Sequence, residues 1–436
     1  MRFHVLGMGP VGQLVAHHLR RNLSPSHEIT LMFKRPRVAE QIPQHSLQLE
    51  FEGSLLEANG FSAESTALGS PVELHKNALK ILRKENKRIS ELQREHKRVP
   101  PLLTGHDSVP SIIPKSKETL QVIKKQLKLE RTVEGIDILV VACKAQSVVS
   151  AIKNIRHRLS SKSTVVLLNN GNLASYDSLV QHVFPNPEGR PHFILASNTH
   201  GAWLKTPPFL IVHAGVGQIR FAIVPDGKRD FERSFWSSKR EKPRLQIDDI
   251  AFRYNDPEAD RYRSLRDTVS VLQQLSGLRP RWETYTDIQL LLRQKLVVNC
   301  VINPLTALIG CTNGELLKNP AARRLAFRIC KEAAEVFRKE AINSAGPNTS
   351  LSDISIPPEL TLTALLNECR RVANVTAPNT SSMLMDIRGG KAETEIHWLT
   401  GYLMTLGSRN GVETPVNASI LDLVKLRTNT PIDLMM

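Results

Sequence analysis

The segment Gly7-Met8-Gly9-Pro10-Val11-Gly12 constrains the fold of this chain more than any other. It follows directly on Arg2–Leu6, an apolar run of strand length, and leads into a helical pattern that starts at Gln13. After a loop ending at His27, Glu28–Phe33 reads as a second strand. In such a βαβ unit the first glycine makes a tight turn and the second lets backbone N–H groups approach a pyrophosphate. The third lets the helix pack against the strand. The helix N-terminus then faces the phosphates. Gly7, Gly9 and Gly12, with Met8, Pro10 and Val11 between them, are the candidate dinucleotide-binding turn.

The end of the second strand bears on which dinucleotide. A site for NAD usually places Asp or Glu there, where it binds the ribose hydroxyls. This chain has Lys34-Arg35-Pro36-Arg37 and no acid. A carboxylate would repel a 2′-phosphate and clustered cations attract it, so the expected cofactor is NADP(H), with Lys34 as the leading contact. The plainer alternative is a group of ordinary surface charges.

Two further runs read as buried parallel strands. Ile136–Ala142 ends in Cys143-Lys144-Ala145-Gln146, and Thr164–Leu168 ends in Asn169-Asn170-Gly171-Asn172. Open α/β sheets bind ligands at the carboxyl ends of such strands, which makes Lys144 and Asn170 candidates to face cofactor or substrate. Short strands at 192–195, 209–213 and 219–224 are expected to form a mixed edge of the same sheet. His200 could serve chemistry, although a histidine satisfied by its own loop is the commoner case. From Arg261 onward the pattern is helical, with helices expected at 262–275, 287–309, 320–345, 359–374, 383–388, 395–409 and 417–427. The expected architecture is an α/β Rossmann-type domain over 1–258, followed by an all-α domain over 259–436.

One of those helices carries a polar stripe. Lys295, Asn299 and Asn303 fall four residues apart and share a face, while Leu296, Val297, Val298, Val301 and Ile302 make most other sides apolar. Such a helix is buried, and a buried ammonium with two carboxamides costs several kcal/mol unless partnered. The three groups either cap neighbouring loops or line a cleft that holds a polar ligand. Pro304 is expected to kink or end the helix at the end of the stripe.

The five cysteines are odd in number and lack Cys-x-x-Cys spacing, which argues for reduced structural thiols rather than disulfides or a zinc site. No apolar run reaches about 18 residues, so a membrane span is not expected. The strand at the start leaves no room for a leader. Cytoplasm is the expected location, with mitochondria as the alternative. The formal charge is +16. Residues 75–131 hold fifteen Lys/Arg against six Asp/Glu and read as a surface insertion. Such a patch can bind nucleic acid or an acidic partner, or simply be solvated.

Taken together, these motifs resemble those of the ketopantoate reductase (2-dehydropantoate 2-reductase, ApbA/PanE) family. To the features above the C-terminal half adds Ser381-Ser382-Met383-Leu384-Met385-Asp386, then Glu393-Thr394-Glu395 and Asn410-Gly411. The resemblance covers residues 1–37, 136–224 and 261–427. It implies a helical domain like the C-terminal domain of 6-phosphogluconate dehydrogenase. It also implies Lys295 as the catalytic lysine and Asn299, Asn303, Ser382 and Glu395 as substrate-binding groups. Lys34, Lys144 and Asn170 would then lie on the cofactor side. The implied reaction is NADPH-dependent reduction of 2-dehydropantoate, a small 2-keto acid, to (R)-pantoate in pantothenate and coenzyme A synthesis. Assembly as a homodimer is open. Two departures stand out. The insertion has no counterpart in compact members, and the Ser382–Glu395 spacing is one residue longer than usual, which leaves Glu393 a competitor to Glu395. The alternative is a repurposed member whose insertion binds RNA, a ribosome or another acidic assembly, with catalysis lost or secondary. The intact polar stripe argues for the enzyme.

Overall fold

The computed structural model describes residues 1–41, 46–66, 135–206, 209–252, 256–345 and 354–430. The basic insertion at 75–131 lies outside the described residues. The centre of the described structure is an eight-stranded sheet. The strands are β1 (Arg2–Leu6), β2 (Glu28–Phe33), β5 (Ser62–Ser65), β6 (Ile138–Val141), β7 (Thr164–Leu167), β8 (His192–Asn198), β11 (Ile219–Ile223) and β12 (Pro280–Trp282), in the order β5-β2-β1-β6-β7-β8-β11-β12. From β5 to β8 all pairs are parallel, and β11 runs antiparallel to β8. Strand order reverses between β1 and β6, the point where a doubly wound sheet opens a crevice at its carboxyl edge.

Alternation along the strands decides which layer each residue supports. Phe3 and Val5 of β1, with Ile138 and Val140 of β6, face one core, and Leu6, Leu139 and Val141 face another. The first core is closed by helices α1 (Pro10–Asn22) and α4 (Ala259–Gln274), the second by α2 (Ala145–Ile155) and α3 (Asn172–His182). Burial on both faces explains the unbroken apolar runs of the central strands.

Two expectations are corrected here. Residues 209–213 do not extend the main sheet. As β10 (Leu210–Gly215) they join β9 (Gly201–Thr206), β3 (Leu47–Phe51) and β4 (Ser54–Ala58) in a separate sheet of order β4-β3-β10-β9. That sheet covers α1 through Leu47, Leu49 and Ile211. The domain boundary expected at 258/259 also moves. Tyr262, Leu265, Val269 and Leu272 of α4 pack into the sheet's core, and β12 pairs with β11. The helical unit therefore begins after Trp282.

That unit is built on α5 (Tyr285–Ile309), with α6 (Pro320–Ser344), α7 (Leu362–Val375), α8 (Ser382–Arg388), α9 (Thr400–Arg409) and α10 (Pro415–Asn429) around it. Thr284 caps α5 by accepting a hydrogen bond from Asp287 N, and Gly310 ends it in the left-handed region. Pro304 removes one ladder donor but does not end the helix, because Val301, Ile302, Leu305 and Ala307 hold the turn in the core. The helix expected at 395–409 is interrupted: Glu395–Trp398 forms a 3-10 turn and α9 starts anew at Thr400. All five cysteines are free thiols. Among the described residues, no helix is long and apolar enough to cross a membrane.

Candidate active site

The glycine turn sits at the carboxyl end of β1, beside the end of β6. Gly7 has φ +95°, and a Cβ there would fall within the backbone of Cys143. A Cβ on Gly12 would collide with the Gly7 carbonyl oxygen. Over Gly9 the situation is opposite: among the described residues no atom lies within 4 Å of where its Cβ would stand. The first and third glycines are thus fixed by packing, and the second leaves open backbone at the amino end of α1. Pro10 occupies the first turn of that helix, and the Gln13 side chain donates to the Met8 carbonyl at 2.9 Å, tying the turn down. Val11 is half-buried beside them. Lys34, Arg35 and Arg37 are exposed just past β2 and have no ion-pair partner among the described residues. This cradle fits a pyrophosphate and a further phosphate.

Across the crevice stands α5. Lys295 and Asn299 line a cleft of about 290 Å³ together with Asn169, Asn170 and the apolar side chains of Leu173, Leu292 and Leu296. The Lys295 Nζ donates to the Asn198 carbonyl at 3.0 Å, at the carboxyl end of β8. Burial draws the ammonium from its ordinary 10.5 down to about 8, with the Glu395 charge offsetting part of this. A half-buried lysine poised near neutrality can both carry charge and release a proton. Asn303 lies one turn further along and is buried. It does not line this cleft, so the stripe is divided between the cleft and the packing towards α8.

Gly171, at φ +66°, turns the chain between Asn170 and α3, and a Cβ there would meet the Trp398 carbonyl at 2.9 Å. Asn170 is thereby held against the 3-10 turn that carries Glu395. Glu395 is buried, and its carboxylate accepts a hydrogen bond from Ala145 N at 3.1 Å. Lys144 Nζ lies 2.8 Å from Asp386 Oδ2 and 3.7 Å from Glu395 Oε2. Burial works against this ammonium, but Glu395 and Asp386 outweigh it and keep its pKa above the ordinary lysine value. Lys391 reaches the other Asp386 oxygen at 2.5 Å. The competing Glu393 is exposed, so of the two acids Glu395 is the one turned inward.

The structure therefore brings Lys295, Asn299 and Asn170 to one cleft and joins Lys144 to Glu395 across the domains. Ser382 is half-buried at the start of α8, next to Ser381, whose Oγ bonds Thr306 Oγ1 at 2.7 Å and accepts from Leu384 N. Asp386 and the Asn198 carbonyl were not anticipated as site groups. The first could have been suspected from its place in the Ser382–Arg388 motif, while the second carries no side-chain signal. His200 proves structural: it bonds His213, the Leu278 carbonyl and Gly217 N.

The family model described as ketopantoate reductase PanE/ApbA C terminal matches residues 287–428. The model for ketopantoate reductase PanE/ApbA matches residues 73–226 and so takes in the basic segment that had been set outside the resemblance. The chain is 27% identical to a probable 2-dehydropantoate 2-reductase of Schizosaccharomyces pombe, over 68% of this chain and 75% of that relative. It is 38% identical to the 2-dehydropantoate 2-reductase of Yersinia pestis, over 32% and 40%. Two solved structures share the fold. The probable 2-dehydropantoate 2-reductase PanE from Bacillus subtilis has a TM-score of 0.55 and 21% identity, covering 98% of this chain and 100% of its own. A PanE/ApbA family ketopantoate reductase from Ralstonia eutropha JMP134 gives 0.60 and 17%, covering 98% and 99%. With both halves matched by its models, the chain belongs to the ketopantoate reductase PanE/ApbA family.

Proposed function

We propose that this protein reduces 2-dehydropantoate to (R)-pantoate with NADPH, the step that feeds pantothenate and coenzyme A synthesis. The observation that carries the reading is Lys295, an ammonium with a pKa near 8 in a narrow, largely apolar cleft at the carboxyl edge of the sheet. When bound, NADPH supplies the hydride. As negative charge builds on the keto oxygen, Lys295 stabilises it and delivers the proton from Nζ, completing the alcohol. A donor poised near working pH transfers its proton more readily than a lysine at 10.5.

The other groups position. Asn299 and Asn170 donate and accept without adding like charge, and Ser382 and Asn303 extend the polar surface towards α8. Glu395, held by Ala145 N and Lys144, supports the Lys295 ammonium and is placed to take a substrate hydroxyl. Gly7 to Gly12 hold the pyrophosphate, and Lys34 with Arg35 favours the 2′-phosphate over a bare ribose. A soluble enzyme of the cytoplasm, acting on a small 2-keto acid, is the form in which these features make sense.

The test is NADPH oxidation with 2-dehydropantoate set against a panel of other 2-keto acids. The reading expects 2-dehydropantoate to have the highest kcat/KM and NADPH to surpass NADH. Turnover of an aryl or unbranched keto acid in preference to 2-dehydropantoate would overturn the substrate, and preference for NADH the cofactor.

A further inference from the structure

A second cleft opens at the other end of β8 from Asn198, roughly 20 Å away along a seven-residue strand. Its empty space is about 470 Å³. Three cations from separate segments line it: Arg190 before β8, Lys228 after β11, and Arg261 in the first turn of α4. Tyr176, Pro191 and Phe193 supply apolar surface to the lining, with Phe193 meeting Tyr176 edge to face at 5.2 Å.

The charges there are only partly matched. Arg190 donates to two neutral groups, the carbonyls of Phe184 at 3.0 Å and Pro185 at 3.4 Å. The Arg261 Nε is buried with no hydrogen-bond partner among the described residues, which is unfavourable for a donor out of water. Lys228 bonds Glu188 at 2.6 Å, a carboxylate whose side chain is 69% exposed. The lining acid, Asp226, already accepts from the Tyr262 hydroxyl at 2.7 Å and from the backbone of Lys228 and Arg229. Its carboxylate is thus occupied by other donors.

We propose that this cleft binds a phosphomonoester, with the dianion held by Arg190, Arg261 and Lys228 and the organic part lying on Tyr176 and Pro191. Two guanidinium groups and an ammonium brought together from three segments suit an anion with several oxygens, and planar guanidinium groups engage phosphate in paired hydrogen bonds. The apolar part of the lining adds affinity for an ester over the free ion.

Calorimetric titration of the full chain with phenyl phosphate and with inorganic phosphate, at fixed salt, tests this. Phenyl phosphate should bind saturably and more tightly than inorganic phosphate. The double variant Arg190→Gln/Arg261→Gln should lose ten- to a hundred-fold in affinity, the effect of removing charge-assisted hydrogen bonds. Lys228→Gln, at an exposed position that leaves the fold alone, should weaken binding in the same direction. Lys34→Gln/Arg35→Gln, at the distant glycine turn, should leave it unchanged. No saturable binding by the unaltered protein would overturn the proposal. So would loss in the Lys34/Arg35 variant with retention in both cleft variants.

Discussion

Replacing Lys295 with methionine should stabilise the protein while disabling it. Burial holds the ammonium at about 8 against an ordinary 10.5. At 1.36 kcal/mol per pKa unit, keeping that charge inside costs the fold about 3 kcal/mol. Methionine matches the length without the charge, but leaves the Asn198 carbonyl without the donor it has at 3.0 Å, a loss of about 1–2 kcal/mol. The net gain at pH 7 is therefore about 1–2 kcal/mol. Its pH dependence has a definite sign. Below pH 8 the lysine is charged in both folded and unfolded chains, and the whole cost is present. Between about 8 and 10.5 the folded lysine is neutral while the unfolded one still holds its proton, so the cost falls as pH rises. Near pH 10 the methionine variant should have lost its advantage and become the less stable of the two. Urea unfolding of both proteins at pH 7, 8.5 and 10, followed by circular dichroism, reads this directly. A variant less stable than the parent at pH 7, or an offset that does not move with pH, would refute the assignment of Lys295 as an ammonium held below its ordinary pKa by its surroundings.

Three further outcomes are expected. Lys34→Glu should erase or reverse the preference for NADPH over NADH, a change of about ten- to a hundred-fold in relative affinity measured by fluorescence titration. Asn299→Ala should raise KM more than it lowers kcat in steady-state assays, because a cleft-lining amide is expected to hold substrate before and during reaction alike. Lys144→Met should strip the bridge from Asp386 and Glu395, lowering stability by about 1–2 kcal/mol in urea titrations. That is less than for a fully buried pair, because the Lys144 side chain is 38% exposed.

Local pattern made some of this molecule legible and long-range pairing hid the rest. The unit β1–α1–β2 is readable because three glycines at fixed spacing can serve few other arrangements, and Gly7 and Gly12 do prove to be set by contact. The helix of Lys295 is readable from its period, since four-residue spacing on an apolar background leaves little else. The four-stranded sheet was missed because β3 and β10 pair in parallel across about 160 residues of sequence, and nothing local in either strand names its partner. α4 looked like the first helix of the second domain because an amphipathic pattern shows a buried face without saying which core receives it. The Lys144–Asp386 bridge spans 242 positions, so each residue reads alone as a lone charge. Pro304 stays inside the helix expected over 287–309, because the loss of one ladder donor is outweighed when the surrounding turn is packed in the core.

The central claim is that Lys295 gives its proton to the reduced keto oxygen. The most direct measurement is turnover of 2-dehydropantoate with NADPH by Lys295→Ala, alongside its NADPH affinity. General acid catalysis is worth about 10²–10⁴-fold, and lost charge stabilisation should push the fall in kcat towards the upper end. NADPH affinity should stay as it was, since the proposed seat of its phosphates, Gly7, Gly9 and Gly12, lies in the other domain. Lys295→Arg should not restore the rate, because guanidinium keeps the charge and scarcely yields its proton. A folded Lys295→Ala protein turning over at near the parent rate would contradict the account.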